Sequence, residues 1–255
     1  MSSLVLLEET GQVAVLTLNR PERHNSLVPA LLSDLLDGLE KIRARPEVGA
    51  VLLQANGRSF STGGDVRSFY DNLENLESYA NRIVSMLNQA ILAMFDLQVP
   101  IVAAVHGMVT GGSLGLVLAS DIVLVSPQAS FIPFYSVVGF SPDGGWSALL
   151  PAVIGPKRAS EVLLLNQTIT AQNAVDWGLA SRVVARENIH GEAMRAAQDL
   201  SAKCTHSIRH TRRLLLSTYG DISARLEQER SHFVQQVVSD EARKGMARFL
   251  RIEDA

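Results

Sequence analysis

Two glycine-rich turns contain the residues whose backbone could bind a reacting oxygen atom. The first is Thr62-Gly63-Gly64-Asp65, and the second is Thr110-Gly111-Gly112. Glycine tolerates positive φ and lets the backbone approach a ligand closely. If a helix begins at Gly112, its N–H group is an unpaired donor at the positive end of that helix. The N–H groups of Gly64 and Gly112 could therefore form an oxyanion hole, although each sequence also suits an ordinary tight turn.

The segments that precede the two turns indicate where the turns should lie. They follow residues 48–54 and 101–105, which are short apolar stretches typical of buried strands. Helical patterns alternate with such strands, which predicts an α/β fold with a largely parallel sheet. The carboxyl ends of parallel strands lie at one edge of a sheet, where ligands bind. We therefore expect the two turns at the same site.

Hydrophobic periodicity predicts the remaining elements. Residues 4–8 and 12–18 are expected to form a hairpin, and Thr170 is expected to cap a helix. The tail is almost wholly helical in pattern, which predicts a core at 1–188 and a helical subdomain at 189–255. The other predicted elements are helices at 28–44, 79–95, from Gly112, at 145–150 and at 157–165, and a strand at 122–125.

The composition is typical of a soluble globular enzyme. The 255 residues are 47% hydrophobic and 19% charged, and the net charge of −3 gives no indication of nucleic-acid binding. The single cysteine, Cys204, excludes an internal disulfide framework. No basic leader is present at the N-terminus, which favours a cytoplasmic location. Residues 97–120 lack charged side chains, but Pro100 and the glycines interrupt them, so we expect two buried elements and no membrane span.

Two other kinds of site are disfavoured. Neither glycine turn matches the dinucleotide-binding or P-loop motif, which argues against NAD-dependent and P-loop chemistry. His206 and His210 have a spacing that can bind a metal on a helix. The arginines around them favour a cationic, solvated face instead, and we expect no metal site.

Five segments carry motifs that occur together in one family of enzymes. They are Leu18–Pro21 with Asn25–Leu27, Phe60–Asp65, Pro100–Asp121, Pro142–Gly145, and Ile169–Ala174 with Gly178–Ala180. With these motifs the chain resembles the crotonase superfamily, the enoyl-CoA hydratase/isomerase enzymes, from Gln12 to about Phe249. The resemblance implies a spiral core of ββα turns, a helical C-terminal region, and trimers that often pair into hexamers. It also implies acyl-CoA substrates, with coenzyme A as part of the substrate and no separate cofactor, and a thioester oxygen held by the N–H groups of Gly64 and Gly112.

The chain departs from the hydratases of this family, which carry two catalytic glutamates. By the resemblance, Gly115 and Tyr135 occupy those two positions here. The carboxylate that remains is Asp143, at a position where certain family isomerases and aromatic acyl-CoA dehalogenases have a catalytic aspartate. Pro-Asp-Gly-Gly is also a good turn sequence, so a purely structural Asp143 is an alternative. Catalysis would require an apolar wall that raises the pKa of Asp143, and the candidates for that wall are Phe131, Phe134, Phe140 and Trp146.

A single carboxylate suits a double-bond shift better than hydration. In a shift from the 3- to the 2-position, Asp143 could take a proton from C2 and return it to C4 while the oxyanion hole stabilises the dienolate. We therefore predict an enoyl-CoA isomerase. The alternatives are a hydratase with an unrecognised second group and a non-catalytic acyl-CoA binder. Dehalogenation is disfavoured because the histidine base of those enzymes corresponds to Asn88.

Four further residues are candidates for substrate binding. Arg23 lies in the loop that the family uses against the nucleotide, and CoA phosphates require basic groups, although a solvated arginine is an equal alternative. Asp65 corresponds to a family position that is mainly structural. Tyr135 is expected to form a pocket wall rather than to donate its hydroxyl to the substrate, and Trp146 to line the same pocket. The basic, aromatic tail with which family members reach a neighbouring subunit's CoA has no clear counterpart in residues 249–255.

Overall fold

The central element of the protein is a six-stranded sheet, seen in a computed structural model that describes residues 3–252. The strands are β1 Val5–Thr10, β2 Val13–Leu18, β3 Ala50–Ala55, β4 Ile101–Val105, β5 Met108–Thr110, β6 Ile122–Val125, β7 Ser130–Ile132, β8 Ile169–Thr170 and β9 Arg182–Val183. The order in the sheet is β1-β2-β3-β4-β6-β9. The pairing of β1 with β2 is antiparallel, and all other neighbours in this sheet are parallel. This confirms the predicted α/β fold and hairpin.

Helices flank the sheet and extend from it at the C-terminal end of the chain. They are α1 Pro29–Arg43, α2 Val66–Asp71, α3 Leu76–Asp96, α4 Leu114–Leu118, α5 Tyr135–Val138, α6 Leu150–Ile154, α7 Pro156–Leu164, α8 Ala171–Asp176, α9 Ile189–Ser201, α10 Thr205–Leu216, α11 Ile222–Val237 and α12 Asp240–Leu250. The predicted helices at 28–44, 79–95 and 157–165 are confirmed within a few residues. So is the helical tail, although its division into a separate subdomain stays a prediction.

Both faces of the central sheet are covered, which explains why its inner strands are apolar throughout. Strand β2 is buried along its whole length. Its Val13 and Val15 pack against α9, whose Ala193 and Ala197 are fully buried. Its Ala14 and Leu16 belong to the main core with α1 and α3. Small alanines on α9 let that helix lie close to the sheet.

A second, three-stranded sheet in the order β5-β7-β8 stands beside the second glycine turn. Strand β5 ends at Thr110 and pairs in parallel with β7. These strands were not predicted, because strands of two or three residues are too short to show a periodic pattern. They matter for the site because β5 leads directly into Gly111 and Gly112.

The predicted helix at 145–150 is wrong. The chain makes turns there, and α6 begins only at Leu150. Gly144 and Gly145 have φ of +61° and +90°, a left-handed backbone that interrupts a right-handed helix. The predicted cap at Thr170 is confirmed, since its Oγ1 accepts a hydrogen bond from the Asn173 N–H at 3.2 Å.

No helix within residues 3–252 is long and apolar enough to cross a bilayer. The uncharged stretch 97–120 forms β4, β5 and α4 inside the folded chain. Gly107 and Gly111, at φ of +60° and +49°, break it into separate elements. Two buried elements joined by a turn were predicted, and β5 is the additional one.

Candidate active site

A cavity of about 540 Å³ lies between the two glycine turns and the C-terminal helices. Its volume lies within the range of small-molecule binding sites. Most of the lining is apolar, and it includes residues from the first loop, both turns, the loop around Asp143, and helices α11 and α12. The lining includes Arg23, Gly64, Asp65, Phe69, Gly111, Gly112, Phe134, Tyr135, Phe140, Asp143, Phe233, Phe249 and Leu250.

The two glycine turns meet, as predicted. The Thr110 N–H donates to the Ser61 carbonyl oxygen at 3.1 Å, which ties the second turn to the first. The backbones approach so closely that a Cβ on Gly63 would lie 2.5 Å from the Thr110 oxygen. Glycine at this position is therefore required by the contact between the turns as well as by its φ of +69°.

Two backbone N–H groups in these turns have no acceptor within the described part of the chain. A parallel bridge joins Leu27 to Gly64, but it uses the Leu27 N–H to the Gly63 oxygen and the Asp65 N–H to the Leu27 oxygen. The Gly64 N–H remains outside the bridge. Gly112 lies in the first turn of a short 3-10 helix at Gly111–Ser113. The N–H groups of a first turn have no carbonyl acceptor within their own helix. Both glycines line the cavity, so this pair can bind a carbonyl oxygen.

Asp143 lies against the second turn with its carboxyl group in the cavity wall. It is 8% exposed, and a Cβ on Gly112 would lie 2.9 Å from Asp143 Oδ2. Burial raises the pKa of the Asp143 carboxyl to about 7. A hydrogen bond from Tyr135 opposes this shift, and the negative charge of Glu229 adds to it. A carboxyl group with this pKa can exchange a proton near neutral pH.

Tyr135 lines the cavity, as predicted, and its hydroxyl group also binds Asp143. It donates to Asp143 Oδ1 at 2.6 Å and also lies 3.0 Å from the Asp143 carbonyl oxygen. Burial and the nearby carboxyl raise the pKa of Tyr135 well above its usual value, so the hydroxyl stays a donor. Phe134 precedes it with φ of +60°, and its N–H is held by Asn166 Oδ1 at 2.8 Å. Tyr135 therefore orients the acid.

The position of Gly115 has no room for a carboxylate side chain. A Cβ there would lie 2.3 Å from Ile91 Cδ1 and 2.7 Å from the Gly144 carbonyl oxygen. Gly144 itself packs against Gly112: a Cβ on Gly144 would lie 2.5 Å from Gly112 Cα. The loop that carries Asp143 thus fills the space beside α4. Position 115 therefore lacks a carboxylate, and the surrounding backbone leaves no space for one.

The Asp65 carboxylate is bound by two arginines of the preceding loop. This carboxylate, 6% exposed, accepts hydrogen bonds from Arg20 at 3.1 Å and from Arg23 at 3.1 and 3.2 Å. Burial alone would raise its pKa, but the two guanidinium groups outweigh burial and lower it. Arg23 is about half exposed at the cavity, so part of its guanidinium can reach a ligand.

Trp146 does not line the cavity, contrary to the prediction. It is fully buried behind the wall, and its indole N–H donates to the Gly111 carbonyl oxygen at 2.7 Å. Phe131 is also fully buried and absent from the lining. Of the predicted aromatic wall, Phe134 and Phe140 line the cavity.

The C-terminal helices complete the site with residues that sequence reasoning missed. Phe233 on α11 packs on Phe69 and Phe140, and Phe249 at the end of α12 packs on Phe134. Phe249 and Leu250 thus line the cavity of their own chain, while residues 253–255 lie outside the described part. No local pattern distinguishes Phe233 from other apolar positions on an amphipathic helix.

Other residues considered from the sequence lie elsewhere. Asn88 is buried and donates to the Leu226 carbonyl oxygen at 3.0 Å, away from the cavity lining. Asp121 accepts hydrogen bonds from the Ile101 N–H and from Arg212, which is a structural role. His106 bonds the Gly57 carbonyl oxygen at 3.1 Å in the core. Within residues 3–252, no group of acidic, histidine or cysteine side chains has the arrangement of a metal site.

Comparison with known proteins shows which family the chain belongs to. The family model "Enoyl-CoA hydratase/isomerase" matches residues 8–254. The chain is 36% identical over 221 residues to a probable enoyl-CoA hydratase of Mycobacterium tuberculosis, covering 84% of this chain and 78% of the relative. It is 31% identical over 204 residues to the 4-chlorobenzoyl coenzyme A dehalogenase-2 of an Arthrobacter species, covering 79% and 74%.

A solved structure of an enoyl-CoA hydratase/isomerase from Mycobacterium paratuberculosis superposes with a TM-score of 0.89 at 27% identity, covering 97% of this chain and 99% of the other. This structural match confirms the crotonase-type fold that the motifs implied. The chain belongs to the enoyl-CoA hydratase/isomerase family of acyl-CoA enzymes.

Proposed function

We propose that the protein is an enoyl-CoA isomerase that moves a double bond from the 3- to the 2-position of an acyl-CoA thioester. The observation that carries this proposal is the single buried acid available for proton transfer. Three acids line the cavity: Glu22 is exposed, and Asp65 is bound by two arginines. Asp143 is buried and has no arginine or lysine partner in the described part of the chain.

The geometry around Asp143 suits a proton shuttle. Tyr135 binds Oδ1, whereas Oδ2 lies beside Gly112 with no hydrogen-bond partner among residues 3–252. In the proposed reaction, Oδ2 removes a proton from C2 and returns it to C4. The N–H groups of Gly64 and Gly112 stabilise the negative oxygen of the dienolate. A pKa of about 7 lets the same group act as base and then as acid.

Hydration is the second candidate because relatives are described as probable hydratases. It is disfavoured here because water addition requires one group to activate water and usually a second to manage the proton at the α-carbon. The second acid cannot come from position 115, where packing leaves no space. Tyr135 has no carboxyl group, and its hydroxyl already donates to Asp143.

Dehalogenation is the activity in the name of one relative, and it is also disfavoured. It would use Asp143 as a nucleophile on an aromatic ring, with a histidine base nearby. Asn88 stands where that histidine is expected, and its amide is directed at the Leu226 carbonyl oxygen. Position 88 therefore does not supply that base, and the Nδ1 atom of the cavity-lining His24 lies 3.3 Å from Ser59 Oγ.

The test is a comparison of two reactions of the purified protein. With a 3-enoyl-CoA, we expect the absorbance of the conjugated 2-enoyl thioester to rise. With crotonyl-CoA, we expect no loss of that absorbance through hydration. Rapid hydration of crotonyl-CoA would support the hydratase, and binding of CoA esters without turnover of either substrate would support a non-catalytic binder.

A further inference from the structure

Glu229, in the middle of α11, is a buried acid that the proposed reaction does not use. It is 5% exposed, and no arginine or lysine lies within ion-pair distance of it in the described part of the chain. Burying an unpaired carboxylate is costly unless strong hydrogen bonds replace its hydration. Its partners therefore indicate what it holds in place.

Four donors from one short segment satisfy this carboxylate. Oε2 accepts from the Gly145 N–H at 2.8 Å. Oε1 accepts from the Ser147 N–H at 2.7 Å, the Ser147 hydroxyl at 2.8 Å and the Ala148 N–H at 2.9 Å. Hydrogen bonds to an ionised acceptor are about twice as strong as neutral ones. Glu229 thus holds the turn that replaces the predicted helix at 145–150.

The segment that Glu229 holds connects both parts of the candidate site. Asp143 precedes Gly145 by two residues. Trp146, inside the held segment, donates its indole N–H to the Gly111 carbonyl oxygen at 2.7 Å. One carboxylate on a C-terminal helix therefore fixes the loop of the acid and, through Trp146, the turn that presents the Gly112 N–H.

We propose that Glu229 is a positioning residue, which holds Asp143 and the Gly111–Gly112 turn in a fixed mutual arrangement. This inference rests on the proposed function, since it assigns Asp143 the role of proton shuttle. The charge of Glu229 acts in the same direction, because it contributes to the raised pKa of Asp143. The C-terminal helix thereby holds the loop of Asp143 in place and adds to the effect of burial on the pKa of its carboxyl group.

The experiment compares Glu229→Gln with Glu227→Gln. Glu227 lies on the same helix and is more than half exposed, with Arg230 as its ion-pair partner, so its variant removes a charge without touching the loop. In Glu229→Gln, an amide replaces an oxygen that accepts from the loop. We expect kcat to fall about 100-fold with little change in KM, since small misplacements of catalytic groups have effects of this size. Glu227→Gln should retain the wild-type kcat.

A second measurement needs no substrate. The carboxyl-carbon NMR signal of Asp143, assigned by its loss in Asp143→Asn, reports its titration. Its pKa should fall below about 7 in Glu229→Gln, while burial still holds it above the ordinary aspartate value of about 4, and it should stay unchanged in Glu227→Gln. A lower melting temperature with unchanged kcat and unchanged titration would show that Glu229 is only structural, and would overturn the proposal.

Glu229→Asp keeps the test decisive if the glutamine variant does not fold. It retains the charge, but its shorter side chain cannot reach all four donors, so kcat should fall while the pKa of Asp143 stays near 7. A wild-type kcat in this variant overturns the proposal. If the wild-type protein has no isomerase activity and the Asp143 titration still shifts in Glu229→Gln, the proposed function fails and the link between Glu229 and Asp143 is supported.

Discussion

Asp65 and Asp143 are buried acids that line the same cavity, yet their surroundings give them opposite properties. Their exposed fractions are 6% and 8%, and burial favours a raised pKa for both. Arg20 and Arg23 bind Asp65 and lower its pKa. Asp143 has a tyrosine hydroxyl as partner and no cation in the described chain, so burial dominates and its pKa is about 7.

The difference shows that the partner of a buried acid decides its role. A carboxylate between two guanidinium groups stays ionised and cross-links the first loop to the first glycine turn. A carboxyl group without a cation can gain or lose a proton near neutral pH, which is the property expected of a catalytic acid or base. Substitutions at the two positions should therefore have different consequences.

The largest effect is expected from Asp143→Asn. If Asp143 is the proton shuttle, the rate of conjugated-thioester formation should fall by about 10²–10⁴-fold. The asparagine can still accept the Tyr135 hydroxyl, so the fold should be kept. Initial rates with a 3-enoyl-CoA measure the effect, with folded Asp65→Asn as the matched control. A variant with the wild-type rate would show that Asp143 has no role in proton transfer.

Asp65→Asn should instead reduce stability, by about 1–3 kcal/mol at pH 7, because two guanidinium groups lose their acceptor. The pKa of Asp65 is lowered in the folded state, so its contribution is full above its ordinary value of about 4 and is lost as the pH falls through the folded value. Urea unfolding at pH 7 and in acid measures this difference.

Asp143→Asn should instead increase the free energy of unfolding at alkaline pH, measured in the same way. The pKa of Asp143 is raised, so ionising the buried group costs stability increasingly as the pH rises from about 4 to about 7. The asparagine variant should be more stable than the wild type at pH 8 and equal to it below about pH 4. Loss of stability in both variants at pH 8 would contradict the comparison.

A smaller effect is expected from Tyr135→Phe. The Tyr135 hydrogen bond lowers the pKa of Asp143, so its removal should raise that pKa and move the acidic limb of the kcat/KM profile to higher pH. Loss of one hydrogen bond corresponds to a rate decrease of about 3- to 10-fold at pH 7. Initial rates from pH 5 to 9 measure it, and an unmoved limb would argue against Tyr135 as the partner of the base.

The smallest effect is expected from Arg23→Ala. Half of this side chain is exposed, and we expect it to contact the phosphates of CoA. Loss of one solvated ion pair should raise KM up to about fivefold without changing kcat. A short pantetheine thioester, which lacks the nucleotide, is the control substrate. The same increase in KM with that substrate would place the contribution of Arg23 elsewhere.

Much of the site could be predicted because its parts are local in sequence. The two glycine turns follow β3 and β4 along the chain, and the carboxyl ends of these parallel neighbours lie at one edge of the sheet. Trp146 was placed incorrectly because its neighbours in sequence do not show which side of the loop it occupies. Glu229 was missed because a glutamate in a charged helical segment resembles any solvated one.

The sequence by itself determined the α/β architecture, the two glycine turns, and the lack of an acidic side chain at position 115. These follow from periodicity, backbone freedom and residue type, which are local properties. Only the tertiary structure decided that Tyr135 donates to Asp143, that Glu229 holds the adjacent loop, and that Asp65 is bound by arginines. The physical reason is that a pKa depends on burial and on charges that lie close in space, and these come from parts of the chain that are distant in sequence.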